Sequence, residues 1–171
     1  MAETLKTIYE RRSIRKYTAE PVSDELIEKI LGAGMMAPSA GNQQPWQFVV
    51  VKDKNKLREI SERHPYASFV KDAGAGILVC GDMSLSLKHK EFWVQDCSAC
   101  TQNILLAAHD LGLGAVWVSS YPDSERMKIF SELFNLPPHV MPLSFVSIGF
   151  PAQRITAIDR FKKERIHYDK W

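Results

Sequence analysis

Apolar residues return every three or four positions in five stretches of this chain and bunch into short continuous runs in four others, a pattern that predicts helices interleaved with buried strands. Leu5, Ile8 and Tyr9 predict a short opening helix. Ser23 is placed to cap a second helix, with Asp24 and Glu25 in its first turn and a stripe of Leu26, Ile27, Ile30 and Leu31; Gly32 and Gly34 weaken its later turns. Pro38 to Pro45 is loop material leading into a strand over Trp46 to Val51. Lys54 to Arg63 predicts a short helix, and Gly76 to Gly81 encloses Ile77-Leu78-Val79-Cys80 as a second strand. From Glu91 to Leu111, Trp93, Val94, Cys97, Cys100, Ile104, Ala107, Ala108 and Leu111 mark a long central helix that stops at Gly112. Ala115 to Val118 is a third strand. Asp123 caps a helix carrying Met127, Phe130, Leu133 and Phe134, and Leu143 to Ile148 is a fourth strand.

After Pro151 the periodicity ends, yet the charged tail from Ala152 to Trp171 closes on Ile166, Tyr168 and Trp171. Apolar anchors without a pattern of their own predict that the tail docks on another surface. The class is α+β, a small sheet flanked by helices.

Composition narrows this picture without redirecting it. At 171 residues, 45% hydrophobic and 25% charged, the chain suits one globular domain spanning 1–171. A net charge of +2, with no basic helix face interleaved with aromatics, argues against a nucleic-acid partner. The polar start from Met1 to Lys6 offers no signal peptide, and no apolar run reaches membrane-spanning length, so neither secretion nor a membrane is expected. Cys80, Cys97 and Cys100 do not form the framework of a disulfide scaffold; reduced thiols and a cytoplasmic address fit better.

Two segments concentrate chemistry. Arg11-Arg12-Ser13-Ile14-Arg15-Lys16 puts four cations and a hydroxyl in six residues. In an extended chain Arg11, Ser13 and Arg15 project to one side, a fork suited to phosphate or carboxylate; the plainer alternative is a solvated basic turn. Pro38-Ser39-Ala40-Gly41-Asn42-Gln43-Gln44-Pro45-Trp46 gathers amides and hydroxyls before a buried strand. Amides both donate and accept, which matches a ring edge with alternating carbonyl and imide groups better than a metal, although an ordinary polar turn has the same composition.

Other motifs carry less. Gly112-Leu113-Gly114 follows a helix and has Trp117 where a dinucleotide fingerprint needs its third glycine, and no nucleotide phosphate loop occurs. Cys97-Ser98-Ala99-Cys100 has C-x-x-C spacing but lies on the core stripe of a helix with no second pair, so both thiols read as packing residues. His64, His89, His109, His139 and His167 form no metal-ligand set, and His109 sits where a cation favours the helix C-terminus.

Taken together, the chain resembles the FMN-dependent nitroreductase family. The resemblance rests on Arg11 to Tyr17 after a short helix and on Ala37 to Trp46. It continues through Gln95-Asp96, Gln102-Asn103, Leu111 to Gly114 and Ile148-Gly149-Phe150-Pro151 to the closing Lys163-Glu164-Arg165. It implies a nitroreductase-like fold, a mostly antiparallel sheet with a C-terminal arm docked on the partner subunit, and a homodimer with shared flavin sites. It further implies that Arg11, Arg12, Ser13 and Arg15 surround the FMN phosphate and ribityl chain together with Lys163 and Arg165. Pro38, Ser39, Ala40, Asn42 and Gln44 would reach the flavin of the other subunit, and Val118 and Ser119 would lie near the ring nitrogen that accepts hydride. Ser119 stands where close relatives often carry glycine. The implied reaction is ping-pong: NADH or NADPH reduces FMN and leaves, and a small-molecule acceptor such as a nitroaromatic or quinone takes its place. The flavin carries the chemistry, so no side chain is assigned as a general acid or base. Two other uses of these residues stay open: a module that stores or senses FMN, and a different flavin reaction such as reductive dehalogenation.

Overall fold

The computed structural model describes every residue except Met1, Ala19, Leu87 and His89, so His89 among the histidines lies outside the described residues. Helices α1 (Glu3–Glu10), α2 (Asp24–Met35), α3 (Lys54–Arg63), α4 (Trp93–Asp110) and α5 (Ser124–Phe134) surround strands β1 (Trp46–Val51), β2 (Ala75–Asp82), β3 (Gly114–Ser119) and β4 (Val140–Gly149). The four strands form one sheet in the order β1-β2-β4-β3, every neighbouring pair antiparallel.

The sheet is covered on both faces because its strands are apolar on both sides of the pleat. Ala75, Ile77, Val79, Ala115, Val146 and Ile148 pack toward α2 and α4 with Ile27, Ile30, Cys97, Cys100 and Ile104. Leu78, Cys80, Val118 and Phe145 point the other way, into Leu57 and Ile60 of α3 and Phe130 and Leu133 of α5. Phe130 stacks on Phe145 with ring centroids 5.6 Å apart.

Helix α2 outlasts the weakness expected of Gly32 and Gly34. A Cβ on Gly34 would come within 2.9 Å of Ile104, so this glycine lets α2 lie close against α4, and tertiary packing offsets its low propensity. Strand β4 likewise starts earlier than expected, at Val140 instead of Leu143. Pro142 argues against a strand there, but it falls where the β2–β4 register shifts between Val79 and Cys80, and a bulge tolerates a residue without an N–H. Ser23 and Asp123 cap α2 and α5 as their sequence positions predict, accepting from the Leu26 and Arg126 N–H groups.

The chain's two termini are held differently. After α1, Ser13 bridges Ala115 in parallel and Tyr17 bridges Pro151, so this stretch lines the free edge of β3. The tail beyond Pro151 has no regular element except a 3-10 turn at Lys163–Arg165, and Ile158, Phe161, Tyr168 and Trp171 are exposed. Helix α1 buries none of its residues despite its apolar stripe. Among the described residues no helix is long and apolar enough to cross a membrane.

Candidate functional site

The basic segment is fixed from beneath. Ile14 is buried, and its N–H donates to the Ala115 carbonyl at 3.0 Å. A Cβ on Gly114 would come within 2.6 Å of Ile14, so the glycine is what lets the segment lie against β3. Tyr17 closes the other end: its hydroxyl donates to the Ile14 carbonyl at 2.7 Å, and it accepts from Ser147 Oγ at 2.9 Å. Ile14 and Tyr17 turn inward three residues apart, so the segment does not keep a strict period of two: Arg15 and Lys16 between them are exposed, whereas Arg11, Arg12 and Ser13 before them are half-buried.

Arg11 is the notable group. It is half-buried, and its Nη1 is a buried donor with no hydrogen-bond partner. Burial first, and then the Arg12 and Arg160 guanidinium groups, push its pKa below the usual arginine value. A half-buried guanidinium beside two more cations, with one buried N–H unsatisfied, has the charge and the free donor that suit an anion. Arg12 is spent differently, donating to the Tyr9, Arg11 and Thr156 carbonyls and thereby tying the segment to the start of the tail. The sequence pattern did not single out Arg160, because a lone arginine in a patternless tail carries no local signal.

Further along, Arg15, His64, Tyr66, Phe69, Trp117, Val118, Ser119 and Arg126 enclose a cavity of about 210 Å³. Arg15 lies over the Phe69 ring and Arg126 over the Tyr66 ring, the latter at 4.9 Å, so the walls are aromatic and cationic. Because Ala115 turns its carbonyl outward to Ile14, strand alternation turns the N–H groups of Trp117 and Ser119 to the same outer edge of β3. His64 steadies that edge. Its Nδ1 accepts from the Tyr66 N–H, so the remaining ring proton is on Nε2, which donates to the Ser119 carbonyl at 3.2 Å. Burial above all pushes the His64 pKa down, and Arg126 adds to this; the Ser119 bond and Asp123 oppose it. The sequence shows His64 only as one histidine among several, since its partner is 55 residues away.

The amide-rich loop is also built, not merely polar. Gly41, Asn42 and Gln44 all have positive φ, which bends the chain sharply before β1. The buried Asp96 carboxylate holds it, accepting from the Ala40 N–H at 3.0 Å through Oδ1, while Oδ2 has no partner. Ser39 Oγ accepts from the Gln44 N–H, and the exposed Asn42 and Gln44 side chains bond each other at 2.8 Å. Pro38 is exposed beside them.

The protomer does not bring the loop and the basic segment together. The loop enters β1 at one edge of the sheet, and Arg11–Arg15 lies outside β3 at the other. Four inter-strand steps of about 4.8 Å separate them by roughly 19 Å. Nor does it bring the two basic ends fully together: Lys163 and Arg165 are exposed, and among the described residues neither makes an ion pair or side-chain hydrogen bond. Cys97 and Cys100 are fully buried on α4, and burial pushes the Cys100 thiol up to about 12, so neither is a ready nucleophile.

These residues fit FMN. The unsatisfied Arg11 Nη1 with its neighbouring guanidinium groups suits a phosphate dianion. At most about 14 Å of chain further on, at Arg15, the aromatic cavity with outward N–H groups suits a flavin ring.

The family model described as Nitroreductase family matches residues 8–64 and 62–150. A protein from Archaeoglobus fulgidus, provisionally named NADH dehydrogenase/NAD(P)H nitroreductase, is 51% identical over 100% of both chains. An FMN reductase [NAD(P)H] from Bacillus subtilis is 29% identical, over 99% of this chain and 74% of its own length. Among solved structures, an FMN-dependent nitroreductase from Clostridium difficile R20291 superposes with a TM-score of 0.90 at 29% identity, covering 98% of this chain and 99% of its own.

Proposed function

Because this chain belongs to the nitroreductase family, we propose that it works as an FMN-dependent NAD(P)H oxidoreductase whose flavin sites are each built by two copies of the chain. The observation that carries the reading is the buried, unsatisfied Arg11 donor beside Arg12 and Arg160, at the head of a segment that ends in the cavity at the β3 edge. The chemistry that FMN supplies when bound is two-electron transfer, from NADH or NADPH in one half-reaction and to a nitroaromatic, quinone or similar acceptor in the next.

The chain's own residues bind and orient. Arg11, Ser13 and Arg15 hold the phosphate and ribityl end along the outward face of the segment. Arg12 adds charge there while fixing the start of the tail, and Lys163 and Arg165 complete the phosphate shell from the arm. Val118 and Ser119 present the β3 edge to the ring, with His64 keeping the Ser119 peptide from turning. Pro38, Ser39, Ala40, Asn42 and Gln44 reach the ring of the partner subunit's site. The roughly 19 Å between loop and basic segment supports a homodimer, since one protomer cannot close both on a single flavin. The exposed apolar residues of α1 and the arm supply the surface that such an interface covers. Three free, buried thiols suit a reducing compartment, and the cytoplasm is the address we infer.

The purified protein is expected to show a flavin spectrum that bleaches anaerobically with NADH or NADPH and recovers on adding a nitroaromatic or quinone. Bound flavin that neither nicotinamide bleaches would leave a binding module in place of a reductase. An FMN-loaded monomer in sedimentation at micromolar concentration would overturn the two-chain site.

A further inference from the structure

Beside the aromatic cavity lies a second cleft, which the reading above leaves unused. Its volume is about 410 Å³, and its walls are Tyr17, Thr18, Lys54, Arg58, Lys71 and Asp72. The two hollows are neighbours, because Phe69, which lines the first, packs against the cluster of Ile14, Tyr17 and Ala73, and Tyr17 lines the second. Arg15 lines one and Tyr17 the other, at most about 7 Å apart along the chain, and Phe69 and Lys71 repeat the relation on the facing turn.

The charges of the cleft differ from those around it. On α3, Lys56 pairs with Glu59, and Arg63 with Glu59 and Glu132. Among the described residues Lys54 and Arg58, on the same helix but lining the cleft, join no carboxylate within ion-pair distance; neither does Lys71 opposite, and Asp72 joins no cation. Lys54 donates to the Ala73 carbonyl at 2.6 Å, which pins its ammonium in place at the rim. Three cations against one carboxylate, with Thr18 as a neutral donor, leave a concave wall with surplus positive charge and unused donors.

We propose that this cleft binds the 2′-phosphate of NADPH, with Arg58 and Lys71 as its principal ligands, and so biases the enzyme toward NADPH over NADH. The inference rests on the reductase reading and deepens it. Only the packing of Phe69 on the Tyr17 cluster separates the cleft from the cavity at the β3 edge, so the cleft is within the span of a dinucleotide whose nicotinamide reaches that edge. Three cations face one carboxylate, so attraction exceeds the repulsion from Asp72, and a phosphate monoester, with close to two charges at neutral pH, roughly doubles the difference.

The test uses the FMN-loaded protein and two probes that carry no nicotinamide. Adenosine 2′,5′-bisphosphate should bind at least tenfold more tightly than 5′-AMP in calorimetric titration, and the preference should vanish in an Arg58→Ala, Lys71→Ala variant. In the same variant the KM for NADPH should rise by roughly two orders of magnitude or more, as two lost charge-assisted contacts imply. The KM for NADH should move less than threefold, and the flavin content should be unchanged. An Arg58→Lys, Lys71→Ala variant should keep part of the NADPH preference that the double alanine variant loses. Equal binding of the two adenosine probes to the native protein, or equal KM changes for the two nicotinamides, would overturn the proposal. Because the adenosine probes need no electron transfer, they judge the cleft even if neither nicotinamide bleaches the flavin, an outcome that would defeat the reductase reading separately.

Discussion

The segment Arg11–Arg15 and the arm carrying Lys163 and Arg165 are both basic and both lack regular structure, yet the protomer treats them in opposite ways. Ile14 and Tyr17 are buried, two bridges tie their stretch to Ala115 and Pro151, and Gly114 is shaped to receive it. The arm is exposed along almost its whole length, and its closest internal ring contact is His167 stacked on Trp171 at 4.1 Å. A cation held by backbone and core has already lost its conformational freedom before a ligand arrives; a cation on a free arm still has that freedom to lose. We therefore propose that Arg11 defines the phosphate site and that Lys163 and Arg165 strengthen it when the arm seats on a partner.

The sharpest way to break this contrast is to remove the arm's charges. A Lys163→Ala, Arg165→Ala variant should bind FMN roughly two to four orders of magnitude more weakly, with riboflavin hardly affected, because each charge-assisted contact contributes about 1.5–3 kcal/mol. Equal losses for both flavins in fluorescence titration would reassign the arm's charges to dimer contacts or solvent. A smaller effect is expected from Arg12→Ala, which severs the side-chain link to the Thr156 carbonyl. About tenfold weaker FMN binding should come with faster amide exchange over residues 152–160, while exchange at Ile14 stays slow. Faster exchange at Ile14 as well would mean that the two segments are held as one unit.

The smallest effect is a matter of pH and touches only the anchored region. The His64 pKa is pushed down in the folded protein, so below the ordinary imidazole value of about 6.5 the unfolded or opened state binds the proton more readily. This part of the stability is fully present above that value and is lost as pH falls. The protection of the Tyr66 amide, measured against its intrinsic exchange rate at each pH, should therefore fall on acidification toward pH 5, with Asp123 and Arg126 as the charges facing the ring, while the arm's exchange follows only the intrinsic chemistry. A His64→Gln variant should remove the pH dependence; its persistence there would place the titrating group elsewhere.

How much of this the sequence conveys depends on the range of the contacts. All five helices and four strands lie where the periodicity predicts them, because burial of one face is written into local spacing. The differences arise where a distant residue decides: Ile104 for the end of α2, and the bulge opposite Pro142 for the start of β4. The same division runs through the candidate site. Arg11, Ser13, Arg15 and the Pro38–Gln44 loop are local clusters and are legible. Arg160, His64 and Arg126 act through neighbours brought in by folding, and nothing adjacent in the chain announces them; Asp96 is visible within Gln95-Asp96, but its bond to the Ala40 N–H, 56 residues away, is not.

The separation of loop and basic segment across the sheet has a consequence in genetics. If each site takes its arginines from one chain and its loop from the other, a chain damaged at Arg11 and a chain damaged at Asn42 are inactive in pure form but not when mixed. In the mixed dimer both lesions fall in the same site, and the other site is assembled wholly from undamaged parts. Two null alleles of this gene would then complement each other to up to half of the full number of sites per dimer, and a cell carrying both would score as functional.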